Sequence, residues 1–170
     1  MALSLADQYY LKSLDNYNYN WEESLTDLSY ALSHDPDHAG ANNLMGRLQM
    51  EHFNNFELAE EYFVQAMVSN PFHMQTCMDY LKLMLKLKKG KEFEKLVQHA
   101  LTIQGIDKAE VLQLKAHYLE LNQHFAEATK LLNRAKLLTF DDCLIEDLEE
   151  DLERVSAKVQ NTIMLNCSSQ

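Results

Sequence analysis

Three cations stand at equal intervals along the chain. Lys12, Arg47 and Lys82 are 35 residues apart, and Lys86 lies one helical turn beyond the last. Ammonium and guanidinium groups set in register answer to carboxylates, arginine through a planar fork and lysine as a point charge. Asn16, Asn43, Gln113 and His117 add hydrogen-bonding side chains beside that row. The competing view is that these are scattered, solvated charges. Other constellations are weaker. His34 and His38 bracket Asp35 and Asp37, a set that transition metals accept, yet Asp and Pro36 are ordinary turn residues and the stretch must be a turn. His117, Glu120 and His124 are spaced three and four apart. Asn122 ends that helix before His124, so these are expected on the surface. Gly40, Gly46, Gly90 and Gly105 never form GxxxxGK or GxGxxG, and no GxSxG occurs. No catalytic residue, no metal site and no cofactor is expected.

The elements that position such residues follow from composition. The chain has 170 residues, enough for one domain with a working core. Four glycines and two prolines leave little for the turns of an all-β fold, so helices are favoured. A formal charge of −11 argues against sequence-independent nucleic-acid binding. The charge is uneven: residues 1–71 hold 2 basic against 11 acidic side chains, 72–140 hold 11 against 7, and 141–170 hold 2 against 8. No apolar run is long enough to span a bilayer. The start MALSLADQYY lacks the basic and apolar regions of a secretory signal. Cys77, Cys143 and Cys167 are odd in number and far apart, which fits reduced thiols and a cytoplasmic setting. Cys77 is expected as a core filler.

A module recurs. In NFELAEEYFVQAMVSNP (55–71), Ala59 and Ala66 are small where a partner helix must come close, Phe63 is a knob between them, and Pro71 closes the helix. Ser24, Leu28, Ala31 and Pro36 repeat this order 35 residues earlier, and Ala128, Leu132 and Ala135 repeat it later. Leu96, Ala100 and Ile103 are a degenerate copy. The starts at 24, 59, 96 and 128 are 35, 37 and 32 apart. This pattern resembles the tetratricopeptide repeat (TPR), whose period is about 34 residues. Met45-Gly46 stands where TPR first helices often carry Leu-Gly, and a glycine there implies a closely crossing helix.

The resemblance implies an all-α fold, a right-handed α-solenoid of antiparallel helix pairs (a TPR-like superhelix) with about nine helices. The repeats are read at about 3–36, 37–71, 72–106 and 107–140. A capping helix follows at 141–161, making one domain of 1–161, and 162–170 is read as a flexible tail in which Met164 and Leu165 have docking potential. Leu5, Tyr9 and Leu11 are expected to pack the first helix. Asp79, Lys82, Lys86 and Lys89 are expected as the polar stripe of an otherwise apolar helix, which Gly90 ends. Thr139 and Asp142 are expected to cap the ninth helix. Its stripe of Leu144, Leu148, Leu152, Val155 and Val159 fits either a cover for an open stack or a dimerisation seam.

In a TPR stack the first helices line a concave groove. The resemblance therefore places Lys12, Asn16, Asn43, Arg47, Lys82, Lys86, Gln113 and His117 on a groove floor. Some TPR co-chaperones clamp a C-terminal carboxylate with Lys, Asn, Lys and Arg; here Arg47 stands where an asparagine is expected, so that specific ligand is not assigned. The implied function is a non-enzymatic scaffold or adaptor whose groove takes a protein or peptide segment, with acidic segments preferred. The alternatives are a chaperone-like protein that sequesters an apolar partner, in the manner of acidic TPR secretion chaperones, and a subunit that self-assembles as a homodimer through the C-terminal helix.

Overall fold

The computed structural model describes residues 3–167, with side chains for residues 3–161. Among the described residues there are nine helices and no strand. They fall into two units, Met1–Lys89 and Gly90–Gln170. The first unit holds α1 (Leu5–Asn16), α2 (Trp21–His34), α3 (Ala39–Glu51), α4 (Phe56–Ser69) and α5 (Met74–Leu87). The second holds α6 (Gly90–Ala100), α7 (Lys108–Leu121), α8 (Phe125–Lys136) and α9 (Asp142–Cys167).

The odd-numbered helices α1, α3, α5 and α7 begin on side-chain caps at Ser4, His38, His73 and Asp107. Those four positions are 34, 35 and 34 residues apart, so the repeat is written in helix starts as well as in helix faces. Each cap accepts a hydrogen bond from a first-turn N–H that has no partner inside the helix. The turns that end α3, α5 and α7 each hold one residue with positive φ: Asn54 (51°), Lys88 (55°) and Gln123 (64°). Pro36 and Pro71 follow α2 and α4, and an Asx turn precedes each new helix. Asp35 accepts from the Asp37 N–H and Asn70 from the Phe72 N–H, both at 3.1 Å.

Small residues sit where helices cross. Gly46 of α3 faces the Phe63 ring of α4; a Cβ there would lie 2.8 Å from that ring. Ala59, Phe63 and Ala66 are completely buried, as are Ser24, Leu28 and Ala31. Ser24 Oγ donates to the Ser13 carbonyl at 2.9 Å, tying α2 to α1. In the second unit Ala128, Leu132 and Ala135 of α8 form one core with Ala109, Leu112, Ala116 and Leu119 of α7 and with Leu148 and Val155 of α9. Leu144 and Leu152 pack against the same core. Four of the five residues in the apolar stripe of α9, Leu144, Leu148, Leu152 and Val155, thus pack inside its own unit.

Several local expectations are corrected. The buried face of α1 is Ala6, Ser13 and Tyr17, whereas Leu5 and Leu11 are exposed. A polar Ser13–Ser24 crossing brings α1 too close to α2 for leucine. Gly90 opens α6 instead of closing α5; the left-handed Lys88 closes α5. Tyr118 of α7 fills the space that a side chain at 90 would need. Asp141 rather than Asp142 caps α9, accepting from the Cys143 and Leu144 N–H groups at 2.9 and 3.3 Å. The α9 backbone continues past Val159 to Cys167. The side chains of Met164, Leu165 and Cys167 lie outside the described residues.

Candidate binding face

The eight residues singled out by spacing do not share one environment. Six lie in the first unit and two, Gln113 and His117, in the second. Three i, i+4 pairs among them do the same thing: each closes on a buried carboxylate supplied by another helix.

On α1, Lys12 donates to Asp27 of α2 at 3.0 Å and Asn16 donates to the same carboxylate at 3.2 Å. Asp27 is 3% exposed. Lys12 also reaches Glu23 at 3.2 Å. The Asp27 hydrogen bond, followed by that from Glu23, raises the Lys12 pKa above the ordinary lysine value.

On α3, Asn43 donates through Nδ2 to Asp79 of α5 at 3.1 Å. Gln75 donates to both oxygens of Asp79 at 3.0 and 3.1 Å. Arg47 Nε stands 3.8 Å from Asp79 and 3.7 Å from Glu51, within ion-pair range but beyond hydrogen bonding. Its guanidinium lies over the Tyr17 ring, 4.5 Å from the centroid, an arrangement in which the ring face attracts the cation. The Tyr17 hydroxyl donates to Glu51. Burial, reinforced by that bond, pushes the Tyr17 pKa upward.

Two atoms in this cluster are buried with no hydrogen-bond partner: Asn43 Oδ1 and Arg47 Nε. The orientation of Asn43 is fixed by Asp79, since flipping the amide would set oxygen against carboxylate. One acceptor and one donor, a helical turn apart, are left without a partner, and each such group destabilises by about 1–3 kcal/mol.

Farther along α5, Lys82 is half-buried and Lys86 is exposed. The Lys86 ammonium lies 5.7 Å from the centre of the Phe56 ring. Asp79, expected on this solvated stripe, is 4% exposed and bonded as above.

In the second unit, Gln113 Nε2 donates to Asp151 Oδ2 of α9 at 2.8 Å, and His117 Nε2 meets the same oxygen at 2.7 Å. A carboxylate only accepts, so Nε2 carries the proton. Arg154 reaches Asp151 Oδ1 at 2.6 Å. It also forks onto Glu120 of α7 through Nε at 3.0 Å and Nη2 at 2.8 Å, and Lys158 adds a third bond to Glu120 at 2.8 Å. Glu120, expected on the surface, is 8% exposed. The Arg154 fork, against the opposing effect of burial, lowers its pKa to about 2. Burial raises that of Asp151, but the bonds from His117 and Gln113 outweigh it and bring the value to about 2.

The row is therefore a set of carboxylate receptors, and Lys12, Arg47, Gln113 and His117 each have one of the chain's own acids at hand. Spacing found the receptors and missed the acids Asp27, Asp79, Glu120 and Asp151. A signal was available, since Asp27 stands three residues after Ser24 and four before Ala31, on the phase of the buried face.

Paired helices that cross on small residues and begin at a 34–35-residue interval define an all-α, TPR-like repeat protein. No family model matches the sequence, and no curated protein matches it. Solved structures do. One, from work on the functional characterisation of Pseudomonas aeruginosa pilF, has a TM-score of 0.79 at 17% identity, covering 94% of this chain and 71% of its own. MamA from Desulfovibrio magneticus RS-1, from residue 41 to its end, has a TM-score of 0.69 at 15% identity, covering 99% and 98%. A MamA double mutant from the same strain has a TM-score of 0.69 at 14% identity, covering 100% and 99%. At such identities the likeness is one of fold alone, the TPR-like all-α solenoid class. Among the described residues no helix is long and apolar enough to cross a membrane.

Proposed function

We propose that this chain is a non-enzymatic interaction scaffold that holds an extended protein segment along the α3–α5 face of its first unit. What supports this is the TPR-like helix-pair fold together with the cations that the α3–α5 face keeps at or near the surface, Arg47 on α3 and Lys86 on α5. Arg47, 27% exposed along its side chain, marks where the segment gains access. Lys82 and Lys86, farther along α5, favour acidic residues in the segment. Lys12 and Asn16 in the first unit, and Gln113 and His117 in the second, hold acids of their own unit.

A screen of a randomised peptide library on immobilised protein tests this. Wild type should enrich extended acidic sequences, and the Lys82→Glu/Lys86→Glu variant should lose that enrichment with an unchanged melting temperature. Identical enrichment by both proteins refutes the acidic groove.

A second reading has its own support in the exposed Leu5, Leu11 and Leu14 of α1, which suit an apolar partner. Salt separates the two, because a charged face releases its ligand at high ionic strength and an apolar one does not.

A further inference from the structure

We propose that the first unit contains two proton-sensitive helix starts, in which neutral imidazoles at His38 and His73 act as the N-caps of α3 and α5. The four caps of the series differ in kind. Ser4 and Asp107 present oxygen lone pairs that persist through mild acid. His38 and His73 present Nδ1. The Ala41 N–H donates to His38 Nδ1 at 3.0 Å, and the Thr76 N–H donates to His73 Nδ1 at 3.3 Å. The Thr76 hydroxyl is also 2.6 Å from His73 Nδ1. An imidazole nitrogen accepts only while it is unprotonated. Protonation turns the acceptor into a donor that no longer receives the helix N–H, at His73 with the Thr76 hydroxyl oxygen as its new acceptor, and sets a cation at the positive end of the helix dipole.

The surroundings make the two sites unequal. His38 has Asp7 of α1 at 3.1 Å from Nε2 and the Tyr10 ring of α1 at 4.9 Å between centroids. Asp35 and Asp37 flank it in its own turn, Asp37 accepting from Gln65 of α4. A charged His38 therefore gains an ion pair with Asp7 as it loses its capping role. His73 is half-buried, and among the described residues no carboxylate hydrogen-bonds to it. Asp79 of α5 attracts a proton to His73 and His38 repels one, while burial, the largest influence, lowers its pKa below the ordinary histidine value. His73 is the sharper sensor. The unfolded chain binds its proton more readily, so this cap stabilises fully above about pH 6.5 and its contribution is lost as pH falls through that range.

Amide protection factors measured at pH 7 and pH 5 test the inference. Thr76 and Cys77, at the start of α5, should lose about tenfold in protection, the loss of a cap together with an adverse dipole. Ala109 and Glu110 at the Asp107-capped start of α7 should not change. His73→Asp should abolish the pH effect at Thr76, and His73→Ser serves the same purpose if the aspartate variant does not fold. Equal protection at Thr76 at both pH values, or a loss that persists in these variants, overturns the proposal. So does a nitrogen spectrum showing His73 Nδ1 protonated at pH 7.

Discussion

Replacing Glu120 by glutamine removes the charge at the centre of the α7–α9 seam and leaves the size of the side chain unchanged. In the native chain its carboxylate receives two bonds from Arg154 and one from Lys158. These hold its pKa near 2 against an ordinary 4.5. At about 1.4 kcal/mol for each pKa unit, that fall is equivalent to about 3 kcal/mol of stability at neutral pH. The figure is an upper bound. Glu120 keeps only 7% of its side chain exposed, but Arg154 and Lys158 keep 45% and 48% and can turn to water when their partner is neutralised. About 2 kcal/mol is expected, or about 4–8 °C in the melting temperature of a chain this size. The sign in pH is fixed: a depressed carboxylate contributes fully above about pH 4.5 and loses its contribution as pH falls toward 2. Urea unfolding followed between pH 3 and 7 reads both effects. Wild type should lose stability on acidification through that range, and Glu120→Gln should show a shallower loss, Asp151 supplying the remainder. A double-mutant cycle with Arg154→Met should return a coupling of about 1–2 kcal/mol. A Glu120→Gln protein within about 0.5 kcal/mol of wild type at pH 7, with an unaltered pH profile, would refute the seam as a source of stability.

Two further changes probe the backbone logic of the repeat. Lys88 is exposed and left-handed at φ 55°, so Lys88→Gly should stabilise the chain by about 1 kcal/mol in chemical denaturation. Gly46→Ala should destabilise by about 1 kcal/mol by the same measurement, although alanine favours helix. Its Cβ would meet the Phe63 ring at 2.8 Å and the Ala59 carbonyl at 3.2 Å, and overpacking outweighs the gain in propensity.

The fold was legible because its constraints repeat. A crossing that needs Ala59, Phe63 and Ala66 in one pair needs Ser24, Leu28 and Ala31 in another, and the sequence shows both in phase. Caps at Ser4 and Asp107 obey the ordinary preference for oxygen side chains. The caps at His38 and His73 do not, so His38 was weighed with His34 as a metal set and His73 drew no notice, although both start helices. The degenerate copy was read three residues late: Phe93, Val97 and Ala100 are the completely buried residues of α6 at the four- and seven-residue offsets, and a large Phe93 in place of a small residue hid that phase.

The binding row was legible only by half, and the physical cause is general. A periodic cation announces itself through charge, whereas its partner acid hides among apolar residues. Asp79 lies three residues beyond Thr76 and four before Leu83, and Asp151 lies three beyond Leu148 and four before Val155. Every one of those neighbours is fully or almost fully buried. An acid on the phase of a core cannot be solvated there, so it demands donors from another helix. Asn43 with Arg47, and Gln113 with His117, are what those helices offer. Composition assigns such acids to the solvent; phase assigns them to the interior. Internal acids stand against Lys12, Arg47 and His117, so in this chain those periodic groups first join helix to helix within each unit.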